Sequence, residues 1–234
     1  MGFILMTLLV ALALYPATTS AFRTHIPSHL NRGRALQCDS GGQEKYSNPV
    51  AAVLSNFIKK EDAEVEDEKV MDIDKIAWGK KKRRKTNLES LRKDLDKAVA
   101  KNSFFVTGIV SPELYSDDFA FSDPDVSVKG VEEYARGVAK IFKSGTKADL
   151  IRSEIVQPDV ITVTWRLEGA VNIGPGLPIK AFVVYSDFSV GEDGLIYFQK
   201  DRFSLSGIDI ILSAFFPFLI GRITAPPVPP VDQM

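Results

Sequence analysis

A chain of 234 residues that is 25% charged and 45% hydrophobic, with a formal net charge of -1, has the composition of one ordinary globular domain with extensions. Net charge near zero does not suggest a nucleic-acid binder overall, and the one basic run, Lys80 to Lys85, which has the form of a nuclear-localisation or nucleic-acid patch, is read instead as part of a charged linker, so no nucleic-acid partner is expected. Cys38 is the only cysteine and the only histidines are His25 and His29; an intrachain disulfide and a cysteine-based metal cluster are excluded, and neither a metal nor a cofactor is expected.

Residues 1–21 read as a signal peptide. Phe3 to Leu14 is an apolar run, Pro16 interrupts it short of the about 20 residues a membrane span needs, and Thr19-Ser20-Ala21 offers small residues for cleavage before Phe22. Residues 22–38 carry Arg23, Arg32 and Arg34 and no acid, the character of a transit peptide. The Ala21-Phe22 junction resembles that of bipartite plastid presequences in algae with secondary plastids. That resemblance implies a plastid location, with thylakoid association a further option. Residues 39–85 hold an acidic block, Glu61 to Glu68, and a basic one, Lys80 to Lys85; such blocks stay solvated, and a charged disordered linker is expected. Within it, Ile76-Ala77-Trp78 is apolar enough to dock on the domain.

The ordered domain is expected over residues 86–206. Thr86-Asn87-Leu88-Glu89 has the form of a capping box, and Leu88, Leu91, Leu95 and Val99 recur at helical spacing behind it. Ser111-Pro112-Glu113 reads as the start of a short helix capped by Ser111. Phe119 and Phe121 then share one face of an extended segment, Asp123-Pro124-Asp125 makes a turn, and Val126 to Lys129 runs back as a short strand ending at Gly130. Val131 to Lys143 has the pattern of a second long helix.

Four strands follow: Ala148 to Val156, Val160 to Ile173, Ile179 to Val190 and Leu195 to Phe203, joined by turns rich in Gly, Pro and Asp. In the second, Ile161, Val163, Trp165 and Leu167 alternate with Thr162, Thr164, Arg166 and Glu168, predicting one buried face and one wet face. The third is apolar on both faces around Ala181 to Val184, which calls for a central position, a strongly curved sheet or a partner. A homodimer through the sheet would cover it. Residues 207–234 form an apolar, then Pro-rich tail, suited to peripheral membrane contact or to covering the mouth or the sheet of its own domain.

The order of elements, with LYSDDFAFSDPDVSVKGVEEY and DGLIYFQKD, resembles the nuclear transport factor 2-like (SnoaL-like) superfamily over roughly Asn87 to Phe203, and more narrowly an uncharacterised plastid and cyanobacterial domain within it. The resemblance implies an α+β cone, in which a curved antiparallel sheet wraps around helices and encloses a cavity. Members of that superfamily include isomerases, polyketide cyclases, epoxide hydrolases and proteins that only bind partners, so the fold does not choose among them. The cavity-lining candidates are Tyr115, Asp118, Phe121, Asp123, Trp165, Tyr185, Asp187, Tyr197 and Gln199. Gln199 stands where related sequences are expected to carry a histidine, and it cannot titrate. Asp201, between Lys200 and Arg202, reads as a surface ion-pair member. Three functions stay open: binding of a small apolar ligand or a partner protein, SnoaL-like isomerase or cyclase chemistry through Asp123 or Asp187, and assembly or scaffolding at the thylakoid.

Overall fold

The computed structural model describes residues 73–84 and 87–234, together with the backbone of a two-residue strand, β1 (Lys45–Tyr46). The leader readings over residues 1–38 lie outside the described residues. Helix α1 (Leu88–Asn102) places Leu91, Leu95 and Val99 in the core, as the spacing predicts. Its cap differs from the expected box. The N-cap is Asn87, whose side chain accepts from the Glu89 amide at 2.8 Å, and Glu89 turns to Arg92 at 2.6 and 2.9 Å instead of reaching back. A guanidinium one turn away offers a carboxylate two charge-assisted bonds, and these outcompete a single backbone N–H.

After Ser103 the chain makes a helical turn absent from the sequence reading, α2 (Phe104–Thr107), which buries Phe104, Phe105 and Val106. Gly108 closes it at φ 74°, and a Cβ there would sit 2.2 Å from the Ala135 carbonyl oxygen, so only glycine lets the two helical segments come this close. Pro112–Leu114 forms a single 3₁₀ turn to which the Ser111 side chain contributes no cap. β2 (Tyr115–Ser122) begins earlier than expected and includes Asp117 and Asp118. The turn is as expected: the Asp123 Oδ1 accepts from the amides of Asp125 at 2.7 Å and Val126 at 2.6 Å, and β3 (Val126–Lys129) pairs back on β2. α3 (Val131–Ile141) follows and buries Tyr134, Ala135, Val138 and Ala139.

β4 (Lys147–Gln157), β5 (Val160–Val171), β6 (Leu177–Val190) and β7 (Ile196–Phe203) pair antiparallel in sequential order. The seven-stranded sheet has the order β1-β3-β2-β7-β6-β5-β4, and one junction, β2 with β7, is parallel. The architecture is α+β, with a curved sheet whose inner face carries the helices. The stretch expected as linker contributes to it: β1 pairs with β3, Ile73 is buried, Ile76 and Trp78 pack on the core, and Lys82 and Arg83 pair with Asp117 and Glu113.

The outer face of β5 is not wet. Thr162, Thr164 and Arg166 are buried. Thr162 and Thr164 lie opposite Asp187 and Tyr185 of β6, while Arg166 bonds Glu168 at 2.6 Å and the Val228 carbonyl at 3.3 Å. The C-terminal segment supplies the cover. Helix α4 (Gly207–Phe215) packs against β6, the Val228 amide donates to the Ala181 carbonyl at 2.9 Å, and Val231–Gln233 reaches β4. Ala181 to Val184 are all buried, β6 lying between β5 and β7 and under this segment.

Lys180 fastens the segment. Its side chain is 2% exposed, and its ammonium donates to the Ala225 carbonyl at 2.6 Å and pairs with Asp209, whose other oxygen accepts from the Ala225 amide at 2.8 Å. Removing one partner of a buried pair leaves an uncompensated charge. Asp209→Ala is expected to lower stability by about 3–5 kcal/mol in urea unfolding, and pairing Lys180→Met with Asp209→Leu to recover most of that loss. A single-variant loss no larger than that of an exposed ion pair would show that the clasp does not hold the segment.

Candidate functional site

Strand parity decides what the interior contains. On β6 the residues facing the helices are Val184, Ser186 and Phe188, and across from the last two in the β6–β7 register lie Asp201 and Gln199. Gln199 is 0% exposed and Asp201 8%. The Gln199 amide donates to the Asp201 Oδ1 at 3.0 Å and to the Tyr134 hydroxyl of α3 at 3.3 Å. The Trp165 indole N–H donates to the Ser186 hydroxyl at 3.0 Å, and Ser186 in turn bonds Asp201. The result is a continuous polar line from β5 to α3 through the wedge between the sheet and the helices packed on its inner face.

Aromatic rings surround that line. Phe105 stacks on Trp165 at 4.4 Å with the planes 6° apart, Phe121 lies 4.8 Å from Tyr134, and Phe119 meets Tyr115 edge-on at 4.9 Å. Burial among them pushes the Asp201 carboxyl from its ordinary 3.8 up to about 7; the bonds from Ser186 and Gln199 oppose the shift, and the charges of Asp123 and Asp187 add to it. The same desolvation, with the Asp201 charge, pushes the hydroxyls of Tyr115 and Tyr134 up, so both remain protonated donors. The Gln199 Oε1 is buried without a hydrogen-bond partner. An unsatisfied acceptor of this kind costs about 1–3 kcal/mol unless something donates to it.

Of the residues expected to line a cavity, Tyr115, Phe121, Trp165 and Gln199 meet in this cluster. Asp123 is half-buried at its edge, its carboxyl pushed up by burial while it serves the turn. The other four point elsewhere. Asp118 is exposed on β2. Asp187 and Tyr185 lie on the outer face of β6, where Asp187 accepts from Thr162 at 2.7 Å and from Arg202 at 3.0 and 3.1 Å, and Arg202 covers the Tyr185 ring. Tyr197 is 45% exposed because the β6–β7 register slips there: Ile196 pairs with Val190 and Phe198 with Ser189, leaving Tyr197 as the extra residue of a bulge.

Asp201 is the principal correction. It is no surface ion-pair member; Arg202 pairs with Asp187 on the opposite face, and Lys200 is exposed. Alternate residues of a strand share a face, so placing Gln199 inside already places Asp201 inside. Tyr134, Ser186 and Phe105 were also missed as site residues. Tyr134 lies on the buried side of α3, and nothing in the sequence marks its hydroxyl as bonded.

A family model described as "Uncharacterized conserved protein (DUF2358)" matches residues 85–198. Among solved structures, an NTF2-like protein from Anabaena variabilis is 18% identical, with a TM-score of 0.38, over 53% of this chain and 96% of that one. A protein described as a SnoaL-like polyketide cyclase, from Jannaschia, is 17% identical over 62% of this chain and 99% of that one, with a TM-score of 0.41. A hypothetical protein with a ketosteroid isomerase-like fold from Catenulispora acidiphila, in complex with trimethylamine, is 14% identical over 51% of this chain and 88% of that one, with a TM-score of 0.38. Comparison with curated proteins finds no match. At such identities the likeness concerns fold alone.

The raised carboxyl fixes a pH dependence. Between about pH 4 and about pH 7 folded Asp201 keeps a proton that the unfolded chain has released, so stability falls as pH rises through that window and is flat above it. Glu89, pulled down to about 2 by its bond to Arg92, acts in the opposite sense and only below its ordinary 4.5. Thermal melts from about pH 4.5 to about pH 7.5 are expected to show a loss on the order of a few kcal/mol that Asp201→Asn largely abolishes. Parallel pH profiles for the two proteins would contradict the assignment.

Proposed function

We propose that the interior of the wedge binds a small, mainly apolar molecule with one hydroxyl or enol group, seated against Gln199, Asp201 and Tyr134. One observation carries this reading: Gln199 presents an unpartnered buried acceptor beside a carboxyl poised near neutrality, inside a shell of aromatic rings. A ligand hydroxyl would donate to the Gln199 Oε1 and accept from Tyr134 or protonated Asp201, while its apolar body meets Phe105, Phe121 and Trp165. Cavities built for small molecules commonly combine an apolar wall with a few convergent polar groups.

A second reading follows from the same carboxyl. A group that titrates near pH 7 beside two protonated tyrosines is suited to taking a proton from carbon and returning it, the chemistry of an isomerase or cyclase. In that case Asp201, rather than Asp123 or Asp187, is the base, and a tyrosine hydroxyl holds the developing oxyanion.

2-Naphthol, a flat apolar molecule with one hydroxyl, is a suitable probe. Its fluorescence is expected to report binding to the full chain, weakened roughly tenfold by Gln199→Leu, which removes the acceptor. Equal affinity in Gln199→Leu, or no binding by the parent chain, would remove the ligand reading. Asp201→Asn separates the two readings. The isomerase reading requires it to keep the probe while losing conversion of a β,γ-unsaturated ketone to its conjugated isomer.

A further inference from the structure

The segment after α4 closes into a tight turn that projects apolar side chains outward. Pro217–Leu219 is a 3₁₀ turn. The amides of Arg222, Ile223 and Thr224 all donate to the Leu219 carbonyl at 2.9–3.2 Å, and Gly221 donates to the Thr224 carbonyl at 2.9 Å. The turn is therefore held by its own backbone. Its base is anchored too, through Asp209, Lys180 and the Ala225 amide. At the tip, Phe218 is 67% exposed and Ile223 74%, with exposed Arg222 between them in sequence.

From these features we infer that the turn spanning residues 216–224 is a membrane-surface anchor, inserting Phe218 and Ile223 among the acyl chains of an anionic bilayer. Three observations favour a lipid surface over a protein. A stable protein interface covers about 800 Å² per partner, whereas two projecting side chains offer about half of that or less. A convex apolar tip needs no complementary groove in lipid. From residue 210 to residue 231 the only ionisable side chain is Arg222, so the stretch that carries the tip brings a cation and no acid of its own to anionic headgroups. No helix among the described residues is long and apolar enough to cross a membrane. The anchor lies on the surface and leaves the domain outside the bilayer.

The inference is independent of any ligand in the wedge. Its test uses the full chain and vesicles of phosphatidylcholine with and without phosphatidylglycerol. Phe218→Trp is expected to show a blue-shifted emission with anionic vesicles and quenching by brominated acyl chains, beyond that of Trp78 and Trp165 in the parent chain. The double variant Phe218→Ser/Ile223→Ser is expected to bind these vesicles at least roughly tenfold more weakly, with an unchanged melting temperature. Arg222→Glu is expected to lose the preference for phosphatidylglycerol. Unquenched emission from Phe218→Trp, or equal vesicle binding by the double variant, would overturn the anchor and leave the apolar run of residues 3–14 to account for any binding. So would a double variant that turns a dimer into a monomer without affecting vesicles, since the tip would then be a protein contact.

Discussion

An ionised carboxylate inside an apolar wedge is unfavourable by several kcal/mol unless a cation pairs with it, and the two side chains that bond Asp201, Gln199 and Ser186, are both neutral. The group therefore answers burial by holding its proton, and the neighbouring hydroxyls of Tyr115 and Tyr134 hold theirs for the same reason. Interior polarity is thus carried by neutral donors and acceptors in a chain of hydrogen bonds. One acceptor, the Gln199 Oε1, is left over, and that surplus directs attention to a ligand rather than to a purely structural network.

The sheet keeps its permanent charges on the other side. Arg202 pairs with Asp187 and Arg166 with Glu168, all on residues whose strand parity opposes Asp201 and Trp165. Because the C-terminal segment crosses that outer face, even these groups are partly enclosed: Arg166 is buried, its guanidinium bonding both Glu168 and the Val228 carbonyl. One chain thus covers both faces of β5 and β6. The apolar character of Ala181 to Val184 on both sides follows directly.

Elements fixed by local chemistry were readable from the residues. Asp123-Pro124-Asp125 prescribes its turn through one side-chain oxygen, the four-strand meander is punctuated by Gly and Pro, and α1 and α3 show their buried stripes. What escaped reading depends on tertiary context. The burial of Arg166 involves a tail about sixty residues away, whose Val228 carbonyl its guanidinium bonds, and the exposure of Tyr197 depends on a bulge that period-two alternation does not anticipate. The α2 turn is too short to show a period. Asp201 is different, since its position followed from Gln199 by parity; flanking Lys200 and Arg202 suggested an ion pair, although adjacent strand residues point to opposite faces.

Assigned carbon-13 NMR titration of the aspartate side-chain carboxyls, with the Asp201 resonance identified by its loss in Asp201→Asn, measures the protonation of that group directly. A midpoint near 7 is the result required by a neutral polar core. A midpoint near the ordinary 3.8 would mean that Asp201 is solvated or paired with a cation, and the neutral core would be contradicted.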